Sequence, residues 1–173
     1  AEEAEAVVAA YPPERTVVLA GGDASPARLE EACALPVRTL HVTAHAVLDP
    51  ALGPRIVLVP SDGADGRLDG DGLERLPSAP RLVVLSACDT AMGEMVGGEG
   101  ILGLVRALTL AGSRQVVASL WPVDDARPAS LMGLLHRNLR RGERPSTAIR
   151  NARRETLANG FEHPFYWAGH VLY

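Results

Sequence analysis

A lone cysteine closes an apolar run in Leu82-Val83-Val84-Leu85-Ser86-Ala87-Cys88-Asp89-Thr90. About 40 residues upstream, Thr39-Leu40-His41-Val42-Thr43-Ala44-His45 ends the same way in a histidine. A free thiol titrates near pH ~8.5, so an adjacent imidazole is the usual source of thiolate at neutral pH. Two strands that bring Cys88 and His45 together would supply a nucleophile and its general base. Spacing alone carries little weight, because any two residues can stand this far apart. Free cysteine also packs as a small hydrophobe, so burial is the competing reading of Cys88. His41 lies an even count from His45 and can share its strand face, but it sits inside the strand and is read as packing or bonding locally.

The elements that would position these residues follow from the pattern of apolar runs and turn residues. Thr16 to Ala20 reads as a buried strand closed by Gly21-Gly22. Ser25-Pro26 starts a helix with a hydroxyl cap and a first-turn proline, running to about Ala34. Strands follow at Val37 to Thr43 and Arg55 to Val59. The Asp- and Gly-rich stretch from Asp62 to Gly72 is a turn or hairpin. A short helix near Asp71 to Leu76 precedes the Leu82 to Leu85 strand. Beyond Cys88, Ile101, Leu104, Val105 and Leu108 have helical spacing, and Ala111-Gly112 ends that helix. Gln115 to Leu120 is a strand. Helices run from about Asp125 to Arg141, burying Leu131, Leu134, Leu135 and Asn138 or Leu139, and from about Ser146 to Ala158. Arg150, Arg153 and Arg154 read as solvated. Trp167 to Tyr173 is a last strand. Continuously apolar strands alternating with helices predict a mostly parallel sheet covered on both faces.

Composition narrows the function classes. The chain has 173 residues, 47% hydrophobic and 22% charged, which fits one well-cored globular domain over 1–173. Aromatic residues make up only 4%, so Val, Leu, Ile and Ala must fill the core. A net charge of −4 argues against a nucleic-acid partner or an anionic membrane surface. All 17 basic residues are arginine, and with the rich use of Ala, Gly and Pro this points to a GC-rich bacterial genome. The two cysteines, Cys33 and Cys88, make no disulfide framework, which sets a reducing, cytoplasmic expectation. No apolar stretch reaches the ~18 residues of a membrane span, and the acidic start is no signal peptide. Numbering begins without methionine, so a fragment of a longer protein is expected.

At this point the motifs carry a resemblance. Leu40 to His45 resembles the histidine motif of CHAT-domain peptidases, caspase-like proteins often attached to TPR repeats. Ser86-Ala87-Cys88-Asp89-Thr90 resembles their cysteine motif. In order along the chain, Gly98-Glu99-Gly100 with Gly103 to Ala107, Ser119 to Asp125, and Pro164 to Ala168 resemble further family segments. The resemblance implies an α/β, caspase-like three-layer sandwich, with a mostly parallel central sheet flanked by helices on both faces. It implies a cysteine endopeptidase in which Cys88 attacks a peptide carbonyl and His45 moves protons. It further implies an oxyanion hole from the backbone N–H groups of Cys88 and Ala46. Attached or partner modules such as TPR repeats would control the enzyme, and its partner would be a protein or peptide substrate.

Ala46 departs from the glycine usual after the family's histidine. Alanine keeps the N–H but resists φ > 0. That residue favours the alternative of a catalytically inactive, peptide-binding caspase-like domain. Asp89, Asp124 and Trp121 are candidates for the substrate pocket, where a carboxylate would favour Arg or Lys. Asp124 and Asp125 also stand where a helix cap belongs. Gly93 to Gly100 lacks both the G-x-x-x-x-G-K-[ST] and the G-x-G-x-x-G pattern and reads as a mobile cleft loop. No zinc or serine-hydrolase motif is present, and no cofactor or metal is expected. His136, His163 and His170 are read as structural or exposed.

Overall fold

Serine 25 does what its position before Pro26 predicts. Its Oγ accepts a hydrogen bond from the Arg28 N–H at 3.4 Å and opens α2 (Pro26–Cys33). In the computed structural model the described residues are 2–49, 53–61, 63–89, 100–121 and 131–173, with the backbone alone described at 48, 87–89 and 100. They fall into two units, one of Leu19–Pro122 with Tyr173 and one of Ala1–Val18 with Val123–Leu172.

The first of these units holds the sheet strands β1 (Thr39–Asp49), β2 (Gly53–Val57), β3 (Arg67–Leu68), β4 (Leu82–Asp89) and β5 (Gln115–Ser119), in the order β3-β2-β1-β4-β5. Strands β1, β4 and β5 are parallel neighbours, while β1–β2 and β2–β3 are antiparallel. The sheet is therefore mixed, which corrects the mostly parallel expectation. The reason is local. β1 continues past Thr43 to Asp49, and Asp49 pairs with Gly53, four positions farther along the chain. So short a connection can only join antiparallel strands; a parallel pair needs a crossover of about a dozen residues or more. At the β5 edge, the Val116 N–H donates to the Tyr173 carbonyl at 3.1 Å, and the Tyr173 N–H returns to Val116 at 2.8 Å.

One face of this sheet carries the core. Val83, Leu85, Val116, Ala118, Ile56 and Leu68 meet side chains from α2, α3 (Gly70–Glu74) and α4 (Gly100–Leu110). Leu40, Val42 and Ala44 pack against the same cluster. On the other face Leu82, Val84 and Val117 are also buried. Burial of both faces explains why β4 and β5 read as unbroken apolar runs.

Pro54 lies inside β2, where a missing N–H normally breaks a ladder. The Leu58 N–H donates to the Gly66 carbonyl at 2.8 Å, so even-numbered residues of β2 turn their polar groups toward β3. β3 ends at Leu68, opposite Ile56, and Pro54 lies beyond it. The missing donor thus leaves nothing unmet. The Pro54 ring instead packs on α4, where a Cβ at Gly103 would stand 2.8 Å from Pro54 Cγ.

Thr16 to Ala20 is not a strand. It is extended but pairs with no described strand, and Val17 and Val18 are 60% and 53% exposed. Of this apolar run only Leu19 packs partly against the core.

The second unit contains α1 (Glu2–Val8), α5 (Leu131–Arg140), α6 (Pro145–Ala158) and β6 (His170–Leu172). α5 buries Leu131, Leu134, Leu135 and Asn138, and also His136, whose Nδ1 lies 2.9 Å from the Tyr11 hydroxyl. Gly142, at φ 90, follows it in the left-handed conformation that glycine favours. Residues 122–130, where that helix was expected to begin, lie outside the described residues. Arg150 and Arg154 are exposed, but Arg153 is half-buried, correcting its solvated reading. Its guanidinium donates to the His170 carbonyl, and burial lowers its pKa. No helix of the described residues is long and apolar enough to cross a membrane.

Candidate active site

The parallel register of β1 and β4 sets His45 opposite Cys88 and Ala46 opposite Asp89. Neighbouring strands lie about 4.8 Å apart, so these backbone positions are as close as two elements can bring them. Both residues lie within their strands, not just past them as expected. β1 runs on into its hairpin after His45, and Cys88 precedes the last residue of β4. Juxtaposition thus comes from direct pairing rather than from two strand ends converging.

Alternation fixes the face. Leu40, Val42 and Ala44 point to the core, so His41, Thr43 and His45 occupy the opposite surface. His41 Nε2 lies 3.0 Å from Thr43 Oγ1, a local bond of the expected kind. Thr43 and His45 are exposed, whereas Val84, beside His41 in the register, is buried. The surface therefore changes from apolar to polar along the strand, reaching water at the His45 level. The Cys88 and Asp89 side chains lie outside what is described.

Backbone donors follow the same alternation. The Leu82 N–H donates to the Arg38 carbonyl at 3.1 Å, so even-numbered residues of β4, Cys88 included, turn their N–H toward β1. Ile56 turns toward β3, so its partner Ala46 turns away from β2 and toward β4. The Cys88 N–H turns toward β1 and the Ala46 N–H toward β4, so they enter the inter-strand gap from opposite sides, at the last two register pairs of the ladder. Ala46 is buried in an extended strand, a conformation alanine adopts without strain.

The remaining candidates are less gathered. Trp121 is half-buried and its carbonyl accepts a hydrogen bond from Ser119 Oγ at 2.7 Å. Asp124, Asp125 and the loop from Gly93 to Glu99 lie outside the described residues, and Gly100 begins α4. Cys33 is buried on α2, and burial pushes its thiol pKa up, so it is poorly suited to act as a nucleophile. Among the described residues no three His, Cys, Asp or Glu gather closely enough to hold a metal ion.

Sequence reasoning missed Arg55. It pairs with Val47, so it shares the sheet face of His45 and stands diagonal to it across the hairpin. The signal was available. Reading Asp49-Pro50-Ala51-Leu52-Gly53 as a hairpin turn would have set Arg55 on that face.

Comparison with known proteins gives two kinds of match. A family model described as the CHAT domain matches residues 1–173. Tetratricopeptide repeat protein 28 of Mus musculus is 33% identical over 93 residues, covering 53% of this chain. Its Homo sapiens counterpart is 32% identical over 93 residues, with the same coverage. The chain matches only 4% of the length of either relative.

Proposed function

Because the chain belongs to the CHAT domain family, we propose that it is a cysteine endopeptidase acting through Cys88 and His45. The observation that supports this most is their pairing across β1 and β4. In this reading His45 takes the thiol proton as the sulfur attacks the scissile carbonyl carbon. The same imidazole then protonates the departing amine, leaving a thioester on Cys88 that water hydrolyses to the acid.

The developing oxyanion would be held by the N–H groups of Cys88 and Ala46, one from each strand at the end of the β1–β4 ladder. Those groups face the neighbouring strand, so accepting an oxyanion requires the last rung to part. The extended place of Ala46 in β1, which alanine adopts without strain, supports the active reading over the inactive alternative that its departure from glycine favours. We read the fold as the caspase-like three-layer sandwich, in keeping with burial on both faces of β4. Asp89, Trp121 and Asp124 remain the proposed pocket residues. The printed name of the matched relatives supports control by a TPR module in a longer protein.

The test is cleavage of a peptide library by the full-length protein and by its Cys88→Ala and His45→Ala variants. Cleavage lost in both supports the reading. Cleavage by Cys88→Ala at the wild-type rate, or no cleavage of any peptide, overturns it.

A further inference from the structure

The face that carries His45 extends across the hairpin to β3. Val57 pairs with His45 on one side and with Arg67 on the other, so His45, Val57 and Arg67 form one transverse row. Arg55 stands two residues along β2 from Val57, on the same face. Arg55 and Arg67 therefore share the sheet face of His45, on the side of β1 away from β4.

They are not equivalent. Arg67 Nε lies 4.0 Å from Asp65 Oδ2, with both side chains well exposed. Arg55 is half-buried, and its Nε is withdrawn from water with no hydrogen-bond partner among the described residues. Asp49 is the carboxylate that β1 brings to this face, opposite Gly53 and diagonal to Arg55. A buried donor left without an acceptor is costly, and a guanidinium edge matches a carboxylate in a two-bond geometry that no neutral side chain reproduces.

We infer that Arg55 is a specificity-determining residue, forming with Arg67 a subsite for an acidic side chain of the peptide substrate. This rests on the peptidase reading of the same face. Diagonal positions across an antiparallel pair lie about 7–8 Å apart, roughly the reach of two residues of extended peptide. The acidic residue is therefore placed near, but not at, the scissile bond. Asp89, proposed for a basic side chain, belongs to β4, across β1 from Arg55, so the two assignments concern different substrate positions.

The test uses the full-length protein and hexapeptides paired as Glu or Gln at each position around the scissile bond. The expected wild-type result is a preference for Glu over Gln at one position of about ten-fold in kcat/KM, the scale of one charge-assisted pair. Arg55→Gln brings that ratio to near one, chiefly through KM. Arg55→Lys keeps part of it, and Arg55→Glu turns it toward Lys. The wild-type preference also falls as salt rises. A Glu/Gln ratio unchanged in Arg55→Gln, with Cys88→Ala still inactive, overturns the subsite and leaves the peptidase reading standing. If no peptide is cleaved, the peptidase reading fails. The same ratios read as binding of labelled peptides to Cys88→Ala then decide the subsite, and equal binding of Glu and Gln peptides overturns it. Should Arg55→Gln fail to fold, the Arg55→Lys ratio and the salt dependence carry the decision.

Discussion

His45 and Cys88 are register partners across the parallel strands β1 and β4, and the adjoining Ala46 and Asp89 form the last pair of that ladder. The chemistry proposed here depends on that register. A one-residue slip would carry His45 to the core face, because side chains alternate along a strand. Adding one glycine between Asp49 and Gly53 leaves β1 paired with β4 and is expected to retain cleavage. Inserting one residue between Ala44 and His45 is expected to abolish it, while circular dichroism still reports a folded chain.

The two cysteines should differ sharply in reactivity. Cys33 is buried, and its thiol pKa is raised by that burial. A small thiol reagent at neutral pH is expected to leave Cys33 unlabelled in the native protein and to label it on unfolding. The sign of the accompanying pH effect is fixed. Between the ordinary thiol value of about 8.5 and the higher folded value, the unfolded chain has lost a proton that the folded chain keeps. The contribution of Cys33 is thus complete below that ordinary value and falls as pH rises above it. Cys33→Ala should flatten this alkaline loss in denaturant titrations.

Gly103 is the point where α4 meets the β2 edge. An added Cβ would lie 2.8 Å from Pro54 Cγ and 3.3 Å from its Cδ, and a proline ring has little freedom to yield. Gly103→Ala is expected to destabilise by about 1–3 kcal/mol, the range for overpacking a fitted contact. Urea unfolding measures it, and Pro54→Ala in the same chain should recover most of the loss.

In the other unit, the Tyr11 hydroxyl lies 2.9 Å from His136 Nδ1, tying the N-terminal segment to α5. Tyr11→Phe should cost about 1 kcal/mol, the net value of one such bond. Hydrogen exchange of residues 2–8 should rise with it, while the exchange of β4 stays unchanged.

Much of this architecture was legible in local signals. Ser25-Pro26 announced α2, the Leu104 and Leu108 spacing announced α4, and the apolar runs announced β4 and β5 because both their faces are buried. Illegible elements were those decided by pairing. Thr16 to Ala20 is as apolar as a strand, but nothing in its composition reveals that it lacks a partner. The β1–β2 hairpin was hidden by Pro50 and Pro54, residues that usually argue against a strand. Pro54 is tolerated only because β3 is too short to need its N–H. Missing the hairpin meant missing Arg55, since its side of the sheet follows from its pairing with Val47. The histidine and cysteine were found as residue types at strand ends; that they are direct partners is a property of register, which no local pattern encodes.

The central claim is that Cys88 is a nucleophile served by His45. The most direct measurement is labelling of the native full-length protein with a peptide that carries a thiol-reactive electrophile, mapped by mass spectrometry. The account predicts modification at Cys88 and not at Cys33, with the Cys88 rate lowered about a hundred-fold in His45→Ala, the low end of what a positioned base contributes. Labelling of Cys88 no faster than that of an unfolded thiol, or unaffected by His45→Ala, would contradict it.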